Sequence, residues 1–141
     1  MSWDADAAAA WQRHLEQARW FAGKGRSARI TALTPLGWYT AAGSWPAIRS
    51  ELATVSYPDG PDEVYQLLVG YHRPGTLDTH QVLATVKLDD LGRVDLCDAT
   101  DVPDSLSALV AALVADPPAG MRWLDRSAID PGVPMRRYLG E

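Results

Sequence analysis

The N-terminal part of the chain repeats apolar residues with the spacing of an α-helix. Within residues 3–23, four of them follow at intervals of four, four and three positions and share one helical face: Ala7, Trp11, Leu15 and Ala18. Asp4 or Asp6 can cap the unpaired amides of the first turn. Gly23 and Gly25 stand where the periodicity ends, and glycine is common there because it tolerates a positive φ. The pattern predicts an amphipathic helix that ends in a turn.

The middle of the chain carries the shorter alternation of apolar and polar residues that is typical of β-strands. Its first run is interrupted between residues 34 and 47 by two prolines and two glycines, which predict a strand followed by a loop. The runs 47–57 and 63–73 flank a Pro-Asp-Gly turn sequence at 58–60 and predict a β-hairpin. Two further strands are predicted at 82–88 and 93–98.

Two sets of apolar residues predict where the core lies. In the second arm of the hairpin, alternate residues form one apolar face: Tyr65, Leu67, Val69 and Tyr71. A second helix is predicted from about Asp101 to Asp116, and Asp98 or Asp101 can cap it. Its apolar residues recur at i, i+3, i+4, i+7 and i+8 and are expected to pack on the sheet: Leu106, Leu109, Val110, Leu113 and Val114.

The order of the elements indicates the fold class. Two short strands are predicted near the C-terminus, at 123–124 and 135–139, around a turn at 131–134. The connections between the central strands are too short to hold crossover helices, so these strands are antiparallel and the class is α+β. We expect one domain over residues 1–141, a curved antiparallel β-sheet packed against one or two helices.

Composition narrows the class of protein. The 141 residues are 47% hydrophobic and 22% charged, as in one soluble globular domain. The net charge is −5 and the 13 basic residues are scattered, which disfavours a nucleic-acid partner. No apolar run approaches the ~20 residues of a membrane helix, and the acidic N-terminus lacks a secretory signal pattern. We therefore expect no membrane partner and a cytoplasmic location.

Motifs for catalysis or metal binding are incomplete. The Gly-Lys pair at 23–24 lacks the upstream glycine and the following Ser or Thr of a phosphate-binding loop, so a helix end with solvated basic residues is favoured. No two histidines have the four-residue spacing of a helical metal pair, and solvated imidazoles are expected for all of them: His14, His72 and His80. We predict no catalytic, metal-binding or cofactor-binding residue in this chain.

Two adjacent aromatic residues, Trp20 and Phe21, lie between Arg19 and Lys24. Both rings cannot face the same core, because neighbouring side chains point in different directions. Two interpretations remain open. Either one ring is buried and the other covers the end of the helix, or the group forms an interaction surface.

Residues 19–26, with the sequence Arg-Trp-Phe-Ala-Gly-Lys-Gly-Arg, resemble the opening signature of the N-terminal cap domain of actinobacterial maltokinases and related glucosamine kinases. Residues 64–68 and 98–99 are similar to later parts of that domain, and residues 137–141 are similar to the segment that leads into the N-lobe of the kinase. The resemblance implies a cystatin-like sheet and helix on the N-lobe of a kinase related to aminoglycoside phosphotransferases. The parent enzyme it implies transfers phosphate from ATP, with magnesium, to a sugar.

The chain lacks the catalytic loop and the metal-binding aspartate motif that phosphoryl transfer requires of such a kinase. The resemblance therefore implies a noncatalytic cap domain that docks on a kinase N-lobe, in cis or in trans, and modulates it. ATP and magnesium are implied for the parent kinase and not for this chain. The expected docking residues are Arg19, Trp20, Phe21, Lys24, Gly25 and Arg26. An independent binding or regulatory module that uses its concave sheet is the alternative, and a free-standing enzyme is the third possibility.

Overall fold

The structure is a computed structural model, and it describes residues 4–115. Its elements in chain order are α1 (Ala5–Gln17), β1 (Arg29–Trp38), β2 (Ala47–Tyr57), β3 (Gly60–His72), a short 3-10 helix (Thr79–Gln81), β4 (Ala84–Leu88), β5 (Gly92–Asp98) and α2 (Pro103–Ala115). The strands form one curled antiparallel sheet in the order β1-β2-β3-β5-β4, which confirms the predicted α+β class. The strands predicted at 123–124 and 135–139 lie outside the described residues.

α1 begins at a capped turn and fills the concave side of the sheet. The Asp4 carboxylate accepts hydrogen bonds from the amides of Asp6 and Ala7, each 3.0 Å long. Trp11 and Leu15 are fully buried against the sheet. The helix ends at Gln17, before the end of the predicted helical segment, because the next residue adopts an extended conformation.

β1 continues through residues 34–38, where the sequence predicts a loop. Pro35 lies opposite Glu51, and the register becomes irregular between Pro35 and Trp38. A proline has no amide to donate, so it is tolerated in a strand at the edge of a sheet, which is where β1 lies. The loop expectation was wrong for these residues because the edge position makes proline acceptable.

The β2–β3 hairpin supplies the centre of the sheet, as the sequence predicts. Tyr57 pairs with Gly60 across the turn, so β3 starts three residues earlier than expected. Alternate residues of β3 face the concave side, where Leu67, Val69 and Tyr71 are buried. This apolar face and α1 form the main core.

α2 lies on the opposite, convex side of the sheet, where Leu109 packs against Ile48 and Ala99. The first turn of the helix lies close to β3. A Cβ atom at Gly70 of β3 would stand only 3.0 Å from the Ser105 Oγ of the helix. The prediction that the apolar stripe packs on the sheet is confirmed for Leu109, which is buried, and for Leu106 and Leu113, which are half-buried and pack against the same cluster. Val110 and Val114 are half-buried as well.

An ion pair joins α1 to the end of β5. His14 Nε2 lies 2.8 Å from a carboxylate oxygen of Asp98, and the other carboxylate oxygen accepts hydrogen bonds from the hydroxyl and amide of Thr100. The expectation of a solvated imidazole was therefore wrong for His14. Burial of Asp98 opposes its ionisation, but the hydrogen bonds from His14 and Thr100 outweigh it and lower the pKa of this carboxyl.

Truncating the buried leucine of α2 tests this core. Leu109→Ala should lower the free energy of unfolding by about 2–5 kcal/mol, the usual cost of a cavity at a buried leucine. The matched control is Val110→Ala on the same helix, which should cost about 1 kcal/mol or less because Val110 is half-buried. Denaturant melts give both values, and equal losses would show that α2 is not seated as described.

The Asp98 contacts predict a pH-dependent contribution to stability. A carboxyl whose pKa is lowered by folding stabilises the protein above its unfolded pKa of about 3.9 and loses that contribution as pH falls through the folded value. Asp98→Asn should therefore cost about 1–3 kcal/mol at pH 7 and progressively less below about pH 4. Asp89→Asn, in an exposed turn, is the control. A difference between Asp98→Asn and wild type that stays constant from pH 7 to pH 2 would contradict this account.

Candidate functional site

The chain from Ala18 to Gly23 folds back over the end of the hairpin and separates the two adjacent rings. Phe21 is 4% exposed and packs on Tyr65, with ring centroids 5.2 Å apart. Trp20 is 46% exposed, and its ring lies 5.9 Å from that of Tyr65. One ring therefore belongs to the core, while the other covers Tyr65 and presents apolar surface to solvent.

Glycines fix the path of this loop. Gly23 is buried, and a Cβ atom there would lie 2.5 Å from the Phe21 ring and 2.6 Å from the Tyr57 hydroxyl. Gly25 has φ +74°, a conformation that other residues rarely adopt, and it faces open space. The expected docking residue Gly25 thus has a backbone role, since it turns the chain between Lys24 and Arg26.

Arg26 is held against the surface of the domain by two contacts. Its guanidinium lies 3.9 Å from the centroid of the Tyr57 ring, and its Nη1 is 3.6 Å from a carboxylate oxygen of Glu63. Both Tyr57 and Tyr65 donate hydrogen bonds to Glu63, at 2.7 and 2.8 Å, and these lower the pKa of Glu63. Arg26, one of the expected docking residues, therefore also reinforces the loop.

The remaining expected docking residues lie on the surface. Arg19 and Trp20 are exposed ahead of the buried Gly23, and Lys24 is exposed between Gly23 and Arg26. The site is therefore a loop with exposed aromatic and cationic side chains. The buried residues Phe21 and Gly23 and the contacts of Arg26 hold its backbone in place. The sequence predicts that one of the two adjacent rings can be buried, but it does not show which one, nor that Arg26 is bonded within the domain.

His14, Asp98 and Asp101 form a group whose ligand atoms lie within 4.8 Å of one another. Sequence spacing missed this group, because the histidine and the aspartates are more than 80 positions apart and meet only through the fold. Asp98 already receives the His14 ring and two hydrogen bonds from Thr100, and His14 Nε2 is also 3.4 Å from Asp101. The arrangement is that of a hydrogen-bonded ion pair.

A second polar network lies at the open end of the concave side. Arg49 Nε donates to Glu51 over 3.1 Å, and the Tyr71 hydroxyl donates to the same carboxylate. Burial raises the pKa of Tyr71. These residues border a hollow of about 380 Å³ between β1 and β4. The signal in the sequence was the spacing of Arg49 and Glu51, which places two charges on one face of a strand.

Among the described residues, Cys97 and the Ser105–His72 pair could supply a nucleophile or a base, but all three are buried. Burial raises the pKa of the Cys97 thiol to about 12, so the reactive thiolate is not formed near neutral pH. His72 lies 2.5 Å from the Ser105 Oγ, but both are buried between β3 and α2, and burial lowers the pKa of His72. These groups pack the interior of the part of the chain that the structure describes.

Comparison with known proteins gives one match, to a family model. No helix in the described part of the chain is long and apolar enough to cross a membrane. No curated protein and no solved structure matches the chain. The family model described as the maltokinase N-terminal cap domain matches residues 14–101, which include the loop at 19–26, all five strands and the Asp98 turn. The match spans more than half of the sequence, and the chain belongs to the family of maltokinase N-terminal cap domains.

Proposed function

We propose that this chain is a noncatalytic cap domain that docks on the N-lobe of an ATP-dependent sugar kinase and modulates it. The observation that carries the proposal is the family match over residues 14–101, since a maltokinase cap domain sits with a kinase region. The sugar kinase is of the maltokinase or glucosamine kinase type, and ATP and magnesium bind in its kinase region. The kinase N-lobe lies in the same polypeptide or in a separate partner chain.

The loop at 19–26 is the docking surface in this proposal. Trp20 offers a large apolar ring, and Lys24 offers a cation that can meet an acidic partner. Phe21, Gly23 and Arg26 hold the backbone between them in place. Because the loop is ordered before it binds, little conformational entropy is lost when it contacts the lobe.

The fold argues against the alternative of an independent module that binds through its concave sheet. α1 already fills most of that side, and its Trp11 and Leu15 are buried there. Two hollows stay open beside the helix: one lies between β1 and β4, where Arg49 and Glu51 already bond to each other, and the other is bordered by Trp20 and Leu67. The exposed aromatic and cationic surface lies on the loop at 19–26.

Two charge changes should separate docking from folding. Lys24→Glu should leave the melting temperature of the chain unchanged and weaken its binding to a maltokinase kinase region by roughly fivefold to tenfold, as reversal of one rim charge does. Arg26→Ala should instead lower the free energy of unfolding by about 0.5–1 kcal/mol, because it loses its contact with the Tyr57 ring.

The control for Lys24→Glu is Lys87→Glu, which makes the same change at an exposed lysine of β4. Binding is measured by fluorescence anisotropy, and melting by circular dichroism. Equal weakening in the two variants would indicate a general charge effect and contradict docking through this loop. A melting temperature that falls in Lys24→Glu would assign Lys24 to folding.

The isolated chain should neither hydrolyse ATP nor phosphorylate maltose or glucosamine, because its described residues lack a base, metal ligands and a phosphate clamp in one cleft. Coupled kinase assays at high protein concentration measure this. Turnover that persists through purification and disappears on a point substitution in this chain would overturn the noncatalytic assignment.

A further inference from the structure

The concave side of the sheet has an opening at the end where α1 begins. The two edge strands, β1 and β4, both contact this helix because the sheet curls around it. A hollow of about 380 Å³ remains there, bordered by Ala7 in the first turn of α1 and by both edge strands. Small-molecule sites span about 300–1,000 Å³ and are common at the mouth of a curled sheet. The hollow therefore has the size and the position of a ligand site.

A paired carboxylate with one unused oxygen lies at the floor of the hollow. Glu51 is 5% exposed, and its Oε2 accepts hydrogen bonds from Arg49 Nε and the Tyr71 hydroxyl. Within residues 4–115, no hydrogen bond reaches its Oε1. Every enclosed side-chain oxygen and nitrogen in this part of the chain has a partner, so Oε1 is not enclosed and opens on the hollow that Glu51 borders.

Arg49 also keeps hydrogen-bonding capacity. A guanidinium has five N–H groups, and this one makes two hydrogen bonds among the described residues, to Glu51 and to Tyr71. The group is held in place, because it lies 4.7 and 5.1 Å from the centroids of the Trp38 and Tyr71 rings. A ligand can therefore use the carboxylate and the guanidinium together while the Arg49–Glu51 pair stays intact.

The walls of the hollow are apolar. Both edge strands contribute them: Leu33 and Pro35 of β1, and Val86 and Leu88 of β4. Asp4, at the opening, uses its carboxylate to cap α1. The other charged residues that border the hollow are exposed, so water and salt screen them: Lys87, Asp89 and Asp90.

These features select a neutral ligand with adjacent hydroxyl groups. The charges of Arg49 and Glu51 cancel, so a charged ligand would lose its hydration without meeting a net opposite charge at the floor. A hydroxyl both donates and accepts hydrogen bonds. One hydroxyl can therefore donate to Glu51 Oε1 while its neighbour accepts from Arg49, and the aliphatic side of the molecule can pack on the walls. A sugar ring and an open-chain polyol share this chemistry.

We propose that the hollow between β1 and β4 binds a neutral polyhydroxy compound, whose hydroxyl groups bond to Glu51 and Arg49 and whose carbon frame lies against Leu33 and Val86. The proposal adds a small-molecule site to the domain. It does not depend on docking to a kinase, since the loop at 19–26 lies at the other end of α1.

NMR titration of the full chain with glucose, sorbitol and propylammonium chloride tests the proposal. Glucose or sorbitol should shift the Arg49 Nε–H signal and the amide signals of Leu33 and Val86 saturably, with a dissociation constant of about 1–10 mM for a ligand of this size. Tighter binding of glucose would identify a ring as the ligand, and tighter binding of sorbitol an open chain. Propylammonium should give no saturable shift.

Glu51→Gln tests the unused oxygen at the floor. The amide oxygen can keep the hydrogen bonds from Arg49 and Tyr71, while the NH₂ group replaces the acceptor Oε1 with a donor, so binding should weaken about tenfold. The control is Glu63→Gln, since Glu63 also accepts hydrogen bonds from two tyrosines but lies outside the hollow. That variant should bind as the wild type does.

A second variant covers the case in which Glu51→Gln does not fold. Leu88→Trp should fill the hollow from the half-buried end of β4 and abolish the saturable shifts. Leu36→Trp, at an exposed residue of β1 outside the hollow, should leave them unchanged. Melting followed by circular dichroism shows whether each variant is folded.

The absence of saturable shifts with both glucose and sorbitol would overturn the proposal. Wild-type affinity in folded Glu51→Gln or in folded Leu88→Trp would overturn it as well. A saturable response to propylammonium that exceeds the response to the polyols would assign the hollow to cations and contradict the proposal. None of these measurements involves a kinase, so their failure leaves the docking function untouched.

Discussion

The contact on which the structure depends is the enclosure of Trp11 and Leu15 of α1 by the curled sheet. These two side chains are almost fully buried, and the central hairpin supplies the opposing residues Leu67 and Val69. A sheet that curls around a helix leaves an opening at each end, and the chain must close one of them as it leaves α1. Phe21 does so, since it turns back onto Tyr65 directly after the helix ends.

That closure determines what the neighbouring residues can do. With Phe21 inside, Trp20 has to lie outside, and the close approach of Gly23 to Tyr57 brings Arg26 over the same ring. Glu63 then joins the two sides, because it accepts hydrogen bonds from both tyrosines and pairs with Arg26. The exposed residues of the loop are positioned by the core packing of their neighbours. Substituting an exposed residue such as Lys24 should therefore change the surface of the loop without lowering the stability of the fold.

Much of the fold could be predicted from the sequence because local signals agree with the final packing. The Asp4 cap, the turn between β2 and β3 and the helical spacing around Leu109 each depend on a few neighbouring residues. The path of β1 through Pro35 could not be predicted, since it depends on the strand being at an edge.

The site was harder to predict because its contacts connect distant parts of the chain. Arg26 meets Tyr57 and Glu63 across more than 30 residues, and nothing near Arg26 in the sequence shows that its charge is occupied. The burial of the apolar side chains of α2 was overestimated for a related reason. Its periodicity shows which residues can share a face, whereas the area of sheet available to cover them is set by the whole fold.

The most direct test of the docking account is site-specific photo-crosslinking in an enzyme that contains both this cap and its kinase region. A photoreactive phenylalanine at position 24 should crosslink to the kinase N-lobe, and the same group at position 87 should not. Peptide mapping by mass spectrometry identifies the crosslinked residues. Crosslinks to the N-lobe from position 87 but none from position 24 would contradict docking through the loop at 19–26.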